Sequence, residues 1–123
     1  MPSETPGHAL PDDPGIARFK FDDGKLEEFK RLSAQCMEIV RTKDIGTLQY
    51  EIYFNDDQSE CIVLERYRDA AALAERAANL GELGQAIPAT ALVSRELLGE
   101  PGAELRAALA DSPVRVFTPF LSM

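Results

Sequence analysis

Between Gly46 and Asp69 the chain reads GTLQYEIYFNDDQSECIVLERYRD, and no other stretch limits the possible folds as strongly. Two segments that alternate in period two flank Asn55-Asp56-Asp57-Gln58-Ser59, a run of polar turn formers. That pattern predicts an antiparallel hairpin. A segment of helical period lies on each side of the hairpin, with a further strand pattern beyond each helix. The order strand, helix, hairpin, helix, strand is the split βαββαβ arrangement, an α+β fold built on an antiparallel sheet.

The individual elements follow from the same periodicities. Met1 to Gly15 is rich in Pro, Asp, Ser and Gly, has no period, and is expected to be a flexible tail, leaving 16–123 as a single domain. The only histidine, His8, sits in that tail, where nothing would hold its ring for catalysis. Ile16 to Phe21 alternates as a first strand, and Asp22-Asp23-Gly24 then supplies acceptors for a helix start. From Lys25 to Thr42 the positions Leu26, Phe29, Leu32, Ser33, Cys36, Met37 and Val40 recur at offsets of three and four, one face of a helix. Glu27 and Glu28 at its start and Arg41 and Lys43 at its end suit the helix dipole.

The second strand, Thr47 to Phe54, has a wholly hydrophobic even face of Leu48, Tyr50, Ile52 and Phe54, expected to face the helices. The third, Glu60 to Tyr67, carries apolar groups on both faces: Ile62 and Leu64 on one, Cys61, Val63, Glu65 and Tyr67 on the other. A chain this short cannot cover both faces by itself, so a partner subunit is the expected cover. Asp69 is a good cap for a helix from Ala70 to Leu80, and Gly81 suits its end. A helical turn, Glu82 to Ile87, stops at Pro88. Thr90 to Leu98 reads as the fourth strand, Ala103 to Ala110 as a short third helix, and Val114 to Phe117 as a final short strand. This last pair exceeds the minimal plan. It is either an arm reaching across to a partner or an extra edge strand on its own sheet.

Composition removes several classes of function. The chain has 123 residues, 45% of them hydrophobic, enough for one real core. Its formal charge of -8, from 21 acids against 13 bases, argues against nucleic acid or an anionic membrane surface as partner. No apolar run approaches the ~20 residues that span a bilayer. Cys36 and Cys61 have no metal-type spacing and read as small buried hydrophobes in a reducing compartment, with the cytoplasm as the default. There is no Gly-rich phosphate loop, HExxH or nucleophile elbow. With no histidine in the folded part, His-ligated metals and imidazole bases are not expected.

Four kinds of polar group remain. Glu65 alternates in phase with Val63 and Tyr67, so its carboxyl points to an otherwise apolar face. A carboxyl desolvated in that way holds its proton more tightly and can act as an acceptor near neutral pH. The alternative is an ion pair with an arginine such as Arg66, Arg95 or Arg115. Tyr50 and Tyr67 can hydrogen-bond a phenolic or carbonyl oxygen, or be core residues with hydroxyls at an edge. Arg76 and Asn79 lie one turn apart and can line one pocket mouth, or simply form a solvated helix face.

The segments FKFDDGKLEEFKRL, GTLQYEIY and IVLERYRDAAAL, in this order and spacing, resemble the antibiotic biosynthesis monooxygenase-like family of the dimeric α+β barrel superfamily. The similarity covers about Ile16 to Leu98. It implies a ferredoxin-like protomer and a homodimer whose sheets meet as a barrel. It also implies a pocket between sheet and helices for a small aromatic or hydrophobic ligand. Some members oxidise phenols or anthrone-like compounds with molecular oxygen and no cofactor; others degrade haem, and others have no known activity. Glu65 and Tyr67 fall where the family usually has Glu-x-Trp, and this chain has no Trp. Arg76 falls where many members carry a helix His, which disfavours haem. Asn79 begins Asn-Leu-Gly-Glu, similar to a variant in one subgroup. The resemblance thus implies a cofactor-independent monooxygenase for a small aromatic or quinol-type substrate. Arg76 would hold the phenolate, Glu65 would be the base and Tyr67 would assist. Tyr50, Asn79 and Met37 would bind substrate, with no cofactor and no metal. The alternatives are a non-catalytic dimer that binds a small ligand, or an isomerase or aldehyde-processing relative. An enclosed apolar cavity touched by Arg76 and a tyrosine favours chemistry; a collapsed pocket filled by Met37, Phe29 and Leu73 favours a binding or structural role.

Overall fold

The structure, a computed structural model, describes residues 14–123. The expected tail, apart from its last two residues, and His8 lie outside the described residues. The first strand, β1, runs Pro14–Phe21, so Gly15, expected in the tail, is a sheet residue. Helix α1 is Leu26–Lys43, β2 is Thr47–Phe54, β3 is Glu60–Tyr67 and α2 is Ala70–Leu80. A single turn, α3, covers Leu83–Ala86, and Pro88–Thr90 forms a 3-10 turn that leads into β4, Ala91–Leu98. Pro88 therefore opens a new turn, as suits a residue with a fixed φ and no N–H to donate. Helix α4, Ala103–Leu109, and β5, Arg115–Phe117, close the chain.

The five strands are ordered β2-β3-β1-β4-β5. All pairs are antiparallel except β4 with β5, which is parallel. The first four strands and α1 and α2 are the predicted βαββαβ unit in ferredoxin-like order, and the sheet stays open. The last strand extends its own sheet, which decides β5 in favour of the extra edge strand.

Local chemistry sets the helix ends. Asp69 accepts from Ala72 N at 2.8 Å, the expected cap. Gly81 ends α2 at φ 54, a conformation open to glycine. At α1 the expected side-chain cap is absent: the Asp22 carbonyl, not a carboxylate, accepts from Lys25 N at 3.1 Å, and Gly24 turns the chain at φ 74. Gly46 is required by contact, since a Cβ there would lie 2.3 Å from the Ala72 Cβ.

One sheet face carries the core. Ala17, Phe19, Cys61 and Val63 meet Phe29, Leu32, Cys36 and Val40 of α1 and Leu80 of α2. Phe21 and Phe29 stack at 4.7 Å and Phe54 joins them edge-on. Leu48 departs from the expected even face. The ladder skips it at a bulge between Thr47 and Gln49, and it stands 51% exposed. No helix among the described residues lies on the other sheet face. Ile62 and Leu64 are only partly buried there, and Leu92 is 72% exposed. No helix among the described residues is long and apolar enough to cross a membrane.

Candidate functional site

The site grows out of the sheet register. On the helix-covered face, Tyr50, Glu65, Gly15 and Leu97 form one row across β2, β3, β1 and β4. The next row is Ile52, Val63, Ala17 and Arg95. Strand alternation puts the bulky groups of β2, β3 and β4 beside two small residues on the central strand. Gly15 and Ala17 therefore leave space above the middle of the sheet, between Glu65 on one side and Arg95 and Leu97 on the other.

Glu65 is the hub. Its Oε1 accepts from the Tyr67 hydroxyl at 2.5 Å and from Arg76 Nη1 at 3.2 Å. The side chains of the ion pair are each 13% exposed. Glu65 thus pairs, as one expectation held, but with Arg76 rather than Arg66, Arg95 or Arg115. Arg66 points to the opposite face by alternation, and Arg115 lies over the Phe117 ring at 4.9 Å. Arg95 shares the face but sits two strands away. Only the crossing of α2 over β3 brings Arg76 near. Both bonds fall on Oε1; Oε2 takes none among the described residues.

Arg76 is held from several sides. Its guanidinium carbon sits 4.6 Å from the Tyr50 ring centroid and 5.8 Å from that of Tyr67, two cation–π contacts. Its Nη2 approaches Cys36 Sγ at 3.8 Å, and the Cys36 thiol donates to the Tyr50 hydroxyl at 3.3 Å. Its Nε is buried and has no acceptor among the described residues. Burial opposes the Arg76 charge, but Glu65, with Tyr67, Tyr50 and Cys36 adding to it, outweighs that cost and pushes the arginine above its usual range. Burial raises both tyrosines well above ordinary phenols, helped at Tyr50 by Cys36 and at Tyr67 by Glu65. Both are therefore neutral donors at physiological pH. The Cys61 thiol, deep in the core, is pushed up to about 12 by burial alone and takes no part.

Two cavities meet at this hub. The smaller, about 60 Å³, lies between the sheet and α2–α3 and is touched by Tyr50, Glu65, Arg76, Phe29 and Arg95. Arg76 and a tyrosine do touch it, but Glu65 and Arg95 line it as well, so it is a mixed hollow rather than the enclosed apolar cavity of the expectation. The larger, about 150 Å³, lies toward α4 and is lined by Gly15, Glu65, Tyr67, Leu73, Arg95, Leu97, Leu105 and Leu109. Glu65 and Arg95 border both. Four of the six predicted residues, Tyr50, Glu65, Tyr67 and Arg76, come together here. The other two line neither cavity. Asn79 Nδ2 donates to Asp44 Oδ1 at 2.6 Å and ties the ends of α1 and α2, and Met37 is partly buried on α1. Sequence reasoning misses Gly15, Arg95 and α4. Alternation with core-facing Val93 is the available signal for Arg95; α4 carries none, because its docking is tertiary. No group of three metal-ligating side chains occurs among the described residues.

A family model described as antibiotic biosynthesis monooxygenase matches residues 16–86. The fold is similar to that of MupZ from Pseudomonas fluorescens, at 25% identity and TM-score 0.77, over 100% of this chain and 94% of that one. It also resembles Rv0793 from Mycobacterium tuberculosis, at 21% identity and TM-score 0.58, over 68% of this chain and 90% of that one. A variant of SnoaB from Streptomyces nogalater, described as a cofactor-independent oxygenase, matches at 14% identity and TM-score 0.60, over 71% of this chain and 90% of that one. A comparison with curated protein sequences gives no match.

Proposed function

The chain belongs to the antibiotic biosynthesis monooxygenase family, and on that premise we propose that it is a cofactor-independent monooxygenase acting on a small aromatic or quinol-type substrate. The observation that carries this reading is the one-sided hold on Glu65. Tyr67 and Arg76 fix Oε1, while Oε2 takes no bond among the described residues and Glu65 borders both cavities. A carboxylate oriented in this way is a positioned proton acceptor. SnoaB supplies a precedent for such chemistry on this fold.

Glu65 Oε2 takes a proton from a phenolic O–H or from a C–H activated by the ring. The resulting anion lies beside the Arg76 charge, where Tyr50, whose hydroxyl accepts from Cys36, has its own O–H to donate, while Tyr67 keeps its O–H on Glu65 and orients the base. Arg76 commits one N–H of each Nη, to Glu65 and to Cys36, and its remaining N–H groups are left for the anion. The anion passes one electron to molecular oxygen, the two radicals combine, and the peroxide loses water. A CH₂ group and O₂ give a C=O group and H₂O, so the substrate supplies every electron. The apolar walls keep bulk water from the anion.

The test is oxygen uptake with a panel of anthrones and hydroquinones. Catalysed uptake is expected, with kcat falling by roughly 10²-fold or more in Glu65→Gln. Arg76→Met is expected to weaken substrate binding and slow turnover. No uptake across the panel, or unchanged rates in both variants, sinks the proposal. Ligand binding without uptake leaves the non-catalytic ligand-binding reading. The same proposal includes a homodimer, with the uncovered sheet face of Ile62, Leu64 and Leu92 as the contact.

A further inference from the structure

Arg95 is a charged group that the proposed reaction does not use. It follows core-facing Val93 by two residues on β4 and borders both cavities. Among the described residues no hydrogen bond or ion pair reaches its guanidinium. The nearby carboxylates are engaged elsewhere. Glu65 is held by Arg76 and Tyr67, and Glu96, on the other sheet face, meets Arg18 at 3.5 Å. Glu65 and Arg76 cancel each other, so the cavities retain the Arg95 charge unbalanced, in a chain whose net charge is -8. A partly buried cation without a counter-ion costs free energy, and a bound anion offsets that cost.

The rest of the larger cavity is mainly apolar, with Tyr67 and the Arg18-paired Glu96 also on its wall. Leu73 comes from α2, Leu97 from β4, and Leu105 and Leu109 from α4. Its floor is open at Gly15. A Cβ there would meet only backbone oxygens of Glu65 and Glu96 at 3.7 and 3.9 Å, ordinary contact distances. The free volume of about 150 Å³ suits a short acyl chain or a single ring. Arg95 and α4 both lie beyond residues 16–86, the stretch that the family model matches.

We propose that the larger cavity binds a small carboxylic acid with an apolar body, its carboxylate on Arg95 and its body over Gly15 against Leu73 and α4. A guanidinium recognises a carboxylate through two parallel N–H bonds, which fixes orientation as well as charge. The inference rests on the proposed oxygenase reading only in placing substrate at this site. It adds that the substrate is an acid whose reactive O–H or C–H faces Glu65 while its carboxylate is held on the opposite side of the cavity.

Calorimetric titration of the full chain with phenylacetate and hexanoate, and with phenylacetamide and hexanamide as neutral twins, tests this. The acids are expected to bind at least about tenfold more tightly than the amides. Arg95→Met removes that preference while amide binding persists, and Arg95→Lys keeps part of it. Gly15→Leu fills the floor and weakens acids and amides alike. If Arg95→Met does not fold, Arg95→Gln reads the same difference. Equal binding of acids and amides, no measurable binding of either acid, or a preference that survives loss of the Arg95 charge overturns the proposal. Binding is read without turnover, so intact acid binding in a protein that consumes no oxygen overturns the oxygenase reading alone. Turnover of neutral quinols that ignores Arg95→Met, with no acid binding, overturns this one alone.

Discussion

Glu65, Arg76, Tyr50 and Tyr67 show how far single residues can be read. Alternation along β3 puts Glu65 and Tyr67 on the covered face, and the structure keeps them there. The pairing of Glu65 is not legible, because Arg76 is eleven residues away on another element and meets it only when α2 crosses β3. The two buried tyrosines make a pH prediction. Burial holds both well above the ordinary phenol value, so the fold favours the protonated phenol. Their contribution to stability is complete below that value and is lost as pH rises through the raised folded values. Tyr53 is exposed, and chiefly its bond to Glu51, with the charge of that carboxylate, raises it. An alkaline absorbance titration should show one tyrosine ionising reversibly and two ionising together with loss of the fold. Three reversible ionisations near the ordinary phenol value would mean that Tyr50 and Tyr67 are not held as described.

Among the elements, β2, β3 and α2 fall where periodicity sets them, since each has a clean pattern and a turn or cap at its end. Errors appear where local signals and packing disagree. Pro14-Gly15 reads as a breaker, yet backbone pairing with Arg66, Glu65 and Leu97 makes it the start of β1. Leu48 keeps the phase of its strand in sequence and loses it at a bulge. Glycines separate the two kinds of information well. Gly46→Ala forces a methyl against Ala72 where α2 leaves β3, and should cost about 1–3 kcal/mol of stability. Gly84→Ala places its Cβ 4.0 Å from Leu80 Cβ in the turn α3 and should change stability by no more than about 0.5 kcal/mol in either direction. Chemical denaturation of both variants checks the contrast; equal effects would remove the close-approach argument for Gly46.

At the scale of the whole molecule the unresolved balance is between the two sheet faces. One is covered by α1 and α2, and the other shows Leu92 at 72% exposure beside partly buried Ile62 and Leu64. Light scattering should therefore give twice the 13.5 kDa of the chain, and Ile62→Glu with Leu64→Glu should return the mass to a single chain with the fold intact. A wild-type mass of one chain at micromolar concentration would reject the homodimer. The amino-acid order alone determined the βαββαβ plan, the helix-facing side of β2 with Tyr50 on it, and the shared face of Glu65 and Tyr67. These depend on periodicity, which is local and carried by each segment. Tertiary structure alone decided the partner of Glu65, the opening over Gly15 and Ala17, the cavity wall supplied by α4 and the isolated charge of Arg95. Those depend on register between strands and on where helices dock, and such distances are set by contacts among residues far apart in the chain.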